Sequence, residues 1–260
     1  MEPIPFLRLS LVFAAALVAG AVNSIAGGGT LVLFPALVAI GVPPIVANAT
    51  CTVSLWPGLV SALWGYRRRL AGTRRWAVGL AVPSALGGVV GAWLLLRTGA
   101  TRFEAIAPWL VFAATVLFVS QRPIMRLVRG PGWAPSGEDT AAPSPSVTLL
   151  FYQFAVSVYG GYFGAGIGIL MLAALGFMGF NNIHRMNGLK TWFGLCTNLI
   201  AAATLATSGL IAWPVAGAIA VGAIAGGYLG ASVAQRVAQQ SVRRAIAVIG
   251  IAAWVWLLLR

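Results

Sequence analysis

From Leu9 to Tyr66 the chain runs 58 residues without an Asp, Glu, Lys or Arg. A water-soluble domain carries about a quarter of its residues charged, so this stretch has no aqueous surface to offer. A second charge-free run, Trp76–Leu96, is 21 residues long, and about 20 apolar residues cross a bilayer core as a helix. Apolar runs continue to Leu259, which excludes a lone signal peptide or a single buried helix. Of the 260 residues, 60% are hydrophobic and 8% charged. Lipid is therefore the expected solvent. The predicted fold class is all-α, a polytopic transmembrane helix bundle.

A net charge of +13 raises nucleic acid as a partner, but the placement of the charges argues against it. The arginines fall in short clusters between apolar runs: Arg67, Arg68, Arg69, Arg74 and Arg75; Arg122, Arg126 and Arg129; Arg236, Arg243 and Arg244. Cytoplasmic loops of membrane proteins look like this under the positive-inside rule. The expected location is a bacterial-type inner membrane, crossed many times. Cys51 and Cys196 lie inside apolar runs and His184 is the only histidine, so no metal-ligand spacing exists. The cysteines read as small buried hydrophobes.

The Pro-, Gly- and Ser-rich stretch Gly130–Pro145 reads as a flexible divider. It implies a first transmembrane repeat over residues 1–129, a cytoplasmic linker over 130–146 and a second repeat over 147–260. The halves resemble each other. Gly87-Gly88-Val89-Val90-Gly91-Ala92 followed by Arg97 matches Gly226-Gly227-Tyr228-Leu229-Gly230-Ala231 followed by Arg236, at an offset of 139. Gly27-Gly28-Gly29 lines up with Gly164-Ala165-Gly166, and Gly72 and Trp76 with Gly209 and Trp213, at an offset of 137. Each half parses into five segments: Ile4–Ser24, Thr30–Ile40, Ile45–Tyr66, Arg75–Leu96 and Phe103–Ser120, then Val147–Phe163, Gly166–Gly179, Ile183–Thr207, Ala212–Gln235 and Val242–Leu259. The basic clusters alternate out of step between the halves. That pattern points to inverted-topology repeats with glycine-broken helices.

The breaks, Asn23–Thr30 and Gly160–Gly168, occupy matching positions. Unwound backbone at membrane depth is tolerated only where protein or a water-filled cavity covers it. Paired breaks are a sequence pointer to a transport site. Helices starting after them would aim free N–H groups and positive dipole ends at the gap, an arrangement suited to an anion. The competing reading is that the glycines only allow close helix packing. A second constellation runs from Asn181 to Thr191 and holds Lys190, the only lysine. On a helix Asn187, Lys190 and Thr191 share one face, and Asn48 and Thr52 stand at corresponding places 139 residues earlier. Lys190 is either an intramembrane functional cation or an interfacial residue that snorkels to the cytoplasmic side with His184 and Arg185.

No carboxylate lies deep in a span: Glu2 is terminal, Glu104 begins a segment, and Glu138 and Asp139 are in the divider. Cation binding in membranes relies on buried carboxylates, so a cation channel is disfavoured. There is no Walker motif and no nucleophile–base pairing. Neither an enzyme nor a cofactor is expected.

Asn23-Ser24-Ile25-Ala26-Gly27-Gly28-Gly29-Thr30, with Pro35 and then Asn48-Ala49-Thr50, resembles the first-half signature of the TauE/SafE sulfite exporter family. Gly161–Gly166 and His184–Lys190 resemble its second-half motifs. Two departures are Ile167-Gly168, where a third consecutive glycine is usual, and Leu172, where the first half has Pro35. The resemblance implies transport of sulfite, sulfonates or related small organic anions. Residue reading and resemblance together give a secondary transporter of a small anion. An anion channel or a non-transporting scaffold are the alternatives. Asn23, Thr30, Asn48, Thr50, Asn187, Lys190 and Thr191 are the candidate polar contacts, with Gly27, Gly28, Gly29, Tyr162, Gly164 and Gly166 completing the candidate substrate site. Trp64, Tyr66, Trp254 and Trp256 read as interface anchors. The expected partners are the substrate anion and the lipid bilayer, without nucleic acid, and a homo-oligomer is compatible with these features.

Overall fold

The computed structural model describes residues 6–120, 123–124, 144–233 and 239–260. Most of the Gly130–Pro145 divider, with Glu138 and Asp139, lies outside the described residues, as do Glu2, Arg122, Arg126, Arg129 and Arg236. The described chain forms ten α-helices: α1 (Phe6–Ala26), α2 (Gly29–Ala39), α3 (Pro44–Tyr66), α4 (Arg74–Thr98), α5 (Ala100–Val119), α6 (Val147–Tyr162), α7 (Ile167–Phe177), α8 (Ile183–Ala206), α9 (Trp213–Val233) and α10 (Gln239–Leu259). A single 3₁₀ turn, Arg67–Leu70, joins α3 to α4.

Local chemistry sets several boundaries. Pro44 opens α3 with its φ already helical and no N–H to lose. Ser146 Oγ caps α6 by accepting from Leu149 N, and Asn182 Oδ1 caps α8 by accepting from the amides of His184 and Arg185. Helix α5 begins three residues before the expected Phe103, because Gly99, at φ +73°, reverses the chain directly after α4. Glu104 is consequently the fifth residue of α5, beyond its first turn, and is exposed.

Segments Pro44–Leu70, Arg74–Thr98, Ala100–Val119 and Trp213–Ser232 are long and apolar enough to cross a membrane. Large apolar side chains point outward along them, including Val82, Trp109 and Val221 at 57–60% exposure, as suits a surface solvated by hydrocarbon. Between helices, glycine does the packing. Gly87 and Gly91 of α4 abut the backbone of α6, and Gly222, Gly226 and Gly230 of α9 abut that of α1. A Cβ at any of them would overlap main-chain atoms, so the repeated glycines are helix-contact surfaces.

The pairings exchange partners between the halves. Helix α4 runs alongside α6 in the same direction, Gly87 facing Ser157 and Gly91 facing Tyr162. Helix α9 runs alongside α1 likewise, Gly222 facing Ala16 and Gly230 facing Ala21. Helices α3 and α8 cross in opposite directions, Leu59 against Gly194 but Tyr66 against Gly188. So do α5 and α10: Thr115 meets Gly250 while the rings of Phe112 and Trp254 are 4.6 Å apart. The most extensive helix pairings of each half are therefore with the other half.

Candidate functional site

Two helix ends build the centre of the molecule. Helix α1 stops at Ala26 because Gly27 takes φ +76° and turns its amide back onto the carbonyls of Val22 and Asn23. Helix α6 stops at Tyr162 in the same way, with Gly164 at φ +76° and its amide on Tyr159 O. These breaks touch. A Cβ on Gly27 would lie 2.8 Å from Gly168 Cα, and one on Gly168 would lie 2.9 Å from Gly27 Cα. After the first break, the amides of Gly28, Gly29 and Thr30 make no hydrogen bond among the described residues.

Around this contact lies a cavity of about 30 Å³, above the roughly 10–15 Å³ that one water needs. Asn23, Thr30, Thr52, Lys190, Thr191 and Asn198 give it its polar wall, and Cys51, Phe163 and Met171 its apolar one. The Lys190 side chain is buried, 3% exposed. Its ammonium donates to Asn23 O at 3.4 Å and Ser24 O at 3.2 Å, both in the last turn of α1. Carbonyls at a helix C-terminus carry the negative end of its dipole and suit a cation. Among the described residues no carboxylate is its partner. The Lys190 stem turns inward to α1.

Six of the thirteen candidate residues line the cavity: Asn23, Gly27, Thr30, Gly164, Lys190 and Thr191. The others stand around it. Asn48 Nδ2 donates to Tyr162 O at 2.8 Å, tying α3 to the end of α6, and Asn48 Oδ1 is buried without a partner. The Tyr162 hydroxyl pairs with Thr98 at 3.1 Å. Thr50 is buried and its hydroxyl accepts from Ala212 N at 3.1 Å, capping the start of α9. Asn187 is buried with Oδ1 unpartnered, while its carbonyl accepts from Thr191 Oγ1 at 2.7 Å. Gly28 packs on the Phe118 ring, Gly29 on Ala19 and Asn23, and Gly166 takes φ +78° as the cap of α7.

Cys51, Thr52, Gly168 and Asn198 line the cavity although the sequence did not place them in the site. Thr52 had a visible signal, its 139-residue offset from Thr191. Asn198 had one too: it lies on the helical face of Lys190, Thr191 and Gly194 within an apolar run, and its amide donates to Gly194 O at 2.8 Å. Tyr66 differs from its expected role as an interface anchor. It is 3% exposed, and its hydroxyl reaches Ser24 O at 3.5 Å, the carbonyl that Lys190 also uses. Among the described residues no group of three or more His, Cys, Asp or Glu side chains could hold a metal ion.

Residues 12–257 match the family described as sulfite exporter TauE/SafE. Curated relatives share the full span. "Probable membrane transporter protein ORF9" of Sinorhizobium sp is 27% identical over 253 residues, 97% of this chain and 93% of the relative. A "probable membrane transporter protein" of Haemophilus influenzae is 28% identical over 227 residues, covering 86% and 84%. "Probable membrane transporter protein YfcA" of Escherichia coli K12 is 25% identical over 246 residues, covering 94% and 87%. No solved structure matches.

Proposed function

This chain belongs to the sulfite exporter TauE/SafE family, and on that premise we propose that it carries a small oxyanion of the sulfite or sulfonate type across a bacterial-type inner membrane as a secondary transporter. As a family member it is a multi-pass membrane transporter rather than an enzyme, with a small-molecule substrate and lipid around it.

The observation that carries the reading is Lys190. It is the only lysine of the chain, is buried in the central cavity, and is held by two carbonyls in place of a counter-ion. A cation entering there meets like charge, whereas an oxyanion offers several acceptors to the ammonium in charge-assisted hydrogen bonds. Asn23 and Thr30 line the same space, and neither side chain makes a hydrogen bond among the described residues. Thr52 and Thr191 already donate to their own helices and present lone pairs, or a rotated proton, to the cavity. Substrate binding exchanges the Lys190–carbonyl bonds for Lys190–anion bonds and so releases the end of α1.

Residues 1–129 and 147–260 act as inverted-topology repeats, with 130–146 as a cytoplasmic linker. The opposed directions of α3 and α8, and of α5 and α10, support this. So does the matching of α1–α9 with α6–α4. Rocking of one repeat against the other would then expose the site to each side in turn. The small volume of the cavity, closed where Gly27 meets Gly168, favours a carrier over an anion channel.

The test is flux of labelled sulfite and of a small sulfonate into proteoliposomes. Saturation and counterflow, both lost in Lys190→Ala, are the expected outcome. Flux that rises linearly with concentration without counterflow would replace the carrier with a channel. Undiminished flux in a folded Lys190→Ala protein would remove the site.

A further inference from the structure

The 139-residue offset also relates two hollows on the outer face of the bundle. One, of about 440 Å³, is bounded by Val60 and Trp64 of α3, Arg67 of the 3₁₀ turn, Arg74 and Ala77 of α4, and Trp192 of α8. The other, of about 400 Å³, is bounded by Leu199, Ala203 and Ala206 of α8, Trp213 and Ala216 of α9, and Val53 of α3. These are the same six places, each moved by 139 positions into the other half. Both volumes fall in the roughly 300–1,000 Å³ range of small-molecule sites. Because α3 and α8 run in opposite directions, the hollows lie toward opposite ends of that helix pair.

Their chemistry differs. In the second, alanine and tryptophan replace both arginines. In the first, Arg67 lies 4.3 Å over the Trp64 ring and donates to Trp64 O at 2.6 Å, so the ring and that carbonyl fix its head and leave most of its N–H groups uncommitted. Arg74 is the first residue of α4, at the positive end of a 25-residue helix, and has no hydrogen-bond or ion-pair partner among the described residues. The hollow's floor is apolar, and Val60 and Trp64 on its rim are 44% and 63% exposed.

We propose that the α3–α4–α8 hollow binds an anionic phospholipid. The guanidinium groups of Arg67 and Arg74 take the phosphate, and an acyl chain lies along Val60, Ala77 and Trp192. Charge selects the headgroup, since arginine forks match phosphate geometry. The apolar floor, open sideways on a membrane-spanning face, selects a lipid over a soluble anion. Basic pockets between transmembrane helices are general recognition sites for such headgroups. The counterpart hollow, lacking both cations, takes neutral lipid without preference.

Native mass spectrometry of the delipidated full-length protein, titrated with phosphatidylglycerol and with phosphatidylcholine, tests this. The expected result is a preference for phosphatidylglycerol that weakens roughly 30-fold in the Arg67→Gln/Arg74→Gln double variant, at about one proximal charge's contribution per arginine. Phosphatidylcholine binding should be unchanged, which also shows that the variant is folded. Installing Ala206→Arg with Trp213→Arg should create a second anionic-lipid preference. Retention of the preference without Arg67 and Arg74 overturns the proposal. So does competition by glycerol 3-phosphate at the concentrations at which phosphatidylglycerol binds, because the acyl chain would then contribute nothing.

Discussion

Helices α3 and α8 begin as copies of each other. Asn48 and Asn187, and Thr52 and Thr191, stand 139 positions apart, and each threonine hydroxyl donates to the carbonyl of its asparagine, at 3.1 and 2.7 Å. On the same face they part at three positions that line the cavity, Cys51 against Lys190, Leu55 against Gly194 and Leu59 against Asn198, of which only the first changes the charge. The difference extends to how each helix holds the broken helix of the opposite half. Helix α3 grips the end of α6 through the neutral amide of Asn48 on Tyr162 O, and α8 grips the end of α1 through the ammonium of Lys190. An amide–carbonyl tie has nothing to gain from an arriving anion, whereas an ammonium–carbonyl tie does. Under the proposed repeat the frame is symmetric, and the Cys51/Lys190 difference is the one that gives the candidate site a sign.

Removing the asymmetry should have the largest effect. Lys190→Ala is expected to lower anion flux in proteoliposomes at least about 100-fold, since hydrogen bonds to charged groups contribute roughly 1.5–3 kcal/mol each. Moving the asymmetry is a sharper test. The double exchange Cys51→Lys/Lys190→Cys should recover flux to within roughly tenfold of wild type, where Lys190→Cys alone does not, because a cation and its loss are reciprocal between equivalent positions. No recovery would mean that the halves are equivalent in backbone only.

The glycine contact comes next. Gly168→Ala should lower the melting temperature by about 3–10 °C, corresponding to the roughly 1–3 kcal/mol of overpacking a tight core. Gly27→Ala should cost more, because the same clash is joined by a side chain at φ +76°. The smallest contrast separates the asparagines. Asn48→Ala removes the bond to Tyr162 O and should destabilise by about 1–2 kcal/mol. Asn187→Ala, which removes an oxygen already without a partner, should cost distinctly less in the same thermal melt.

Much of this frame was legible in the sequence, because lipid imposes few solutions. Charge-free runs of spanning length must become helices, and the ten helices coincide with the ten apolar segments to within a few residues. The offset of 139 placed Asn48, Thr52, Asn187 and Thr191 in correspondence before any coordinates did. Side-chain direction was less accessible. Lys190 lies two turns into α8, where its four-carbon stem reaches either a headgroup region or the interior, and only the position of the α1 carbonyls decides. Thr50 looked like a polar group awaiting a ligand, but its hydroxyl serves Ala212 N in another helix, a contact 162 residues away in sequence. Cys51 gave no polar signal at all. Its place in the cavity wall follows from its register with Lys190.

The meeting of Gly27 with Gly168 has a mechanical consequence. Packed helices usually lock through interleaved side chains, and parting them requires many rotamers to shift together. Here Gly27, just past the end of α1, abuts Gly168, the second residue of α7, so the two breaks meet backbone against backbone. Such a contact has few interleaved side chains, and under the proposed transport cycle the Lys190 stem, which packs on Gly168, is the side chain that has to move when it parts.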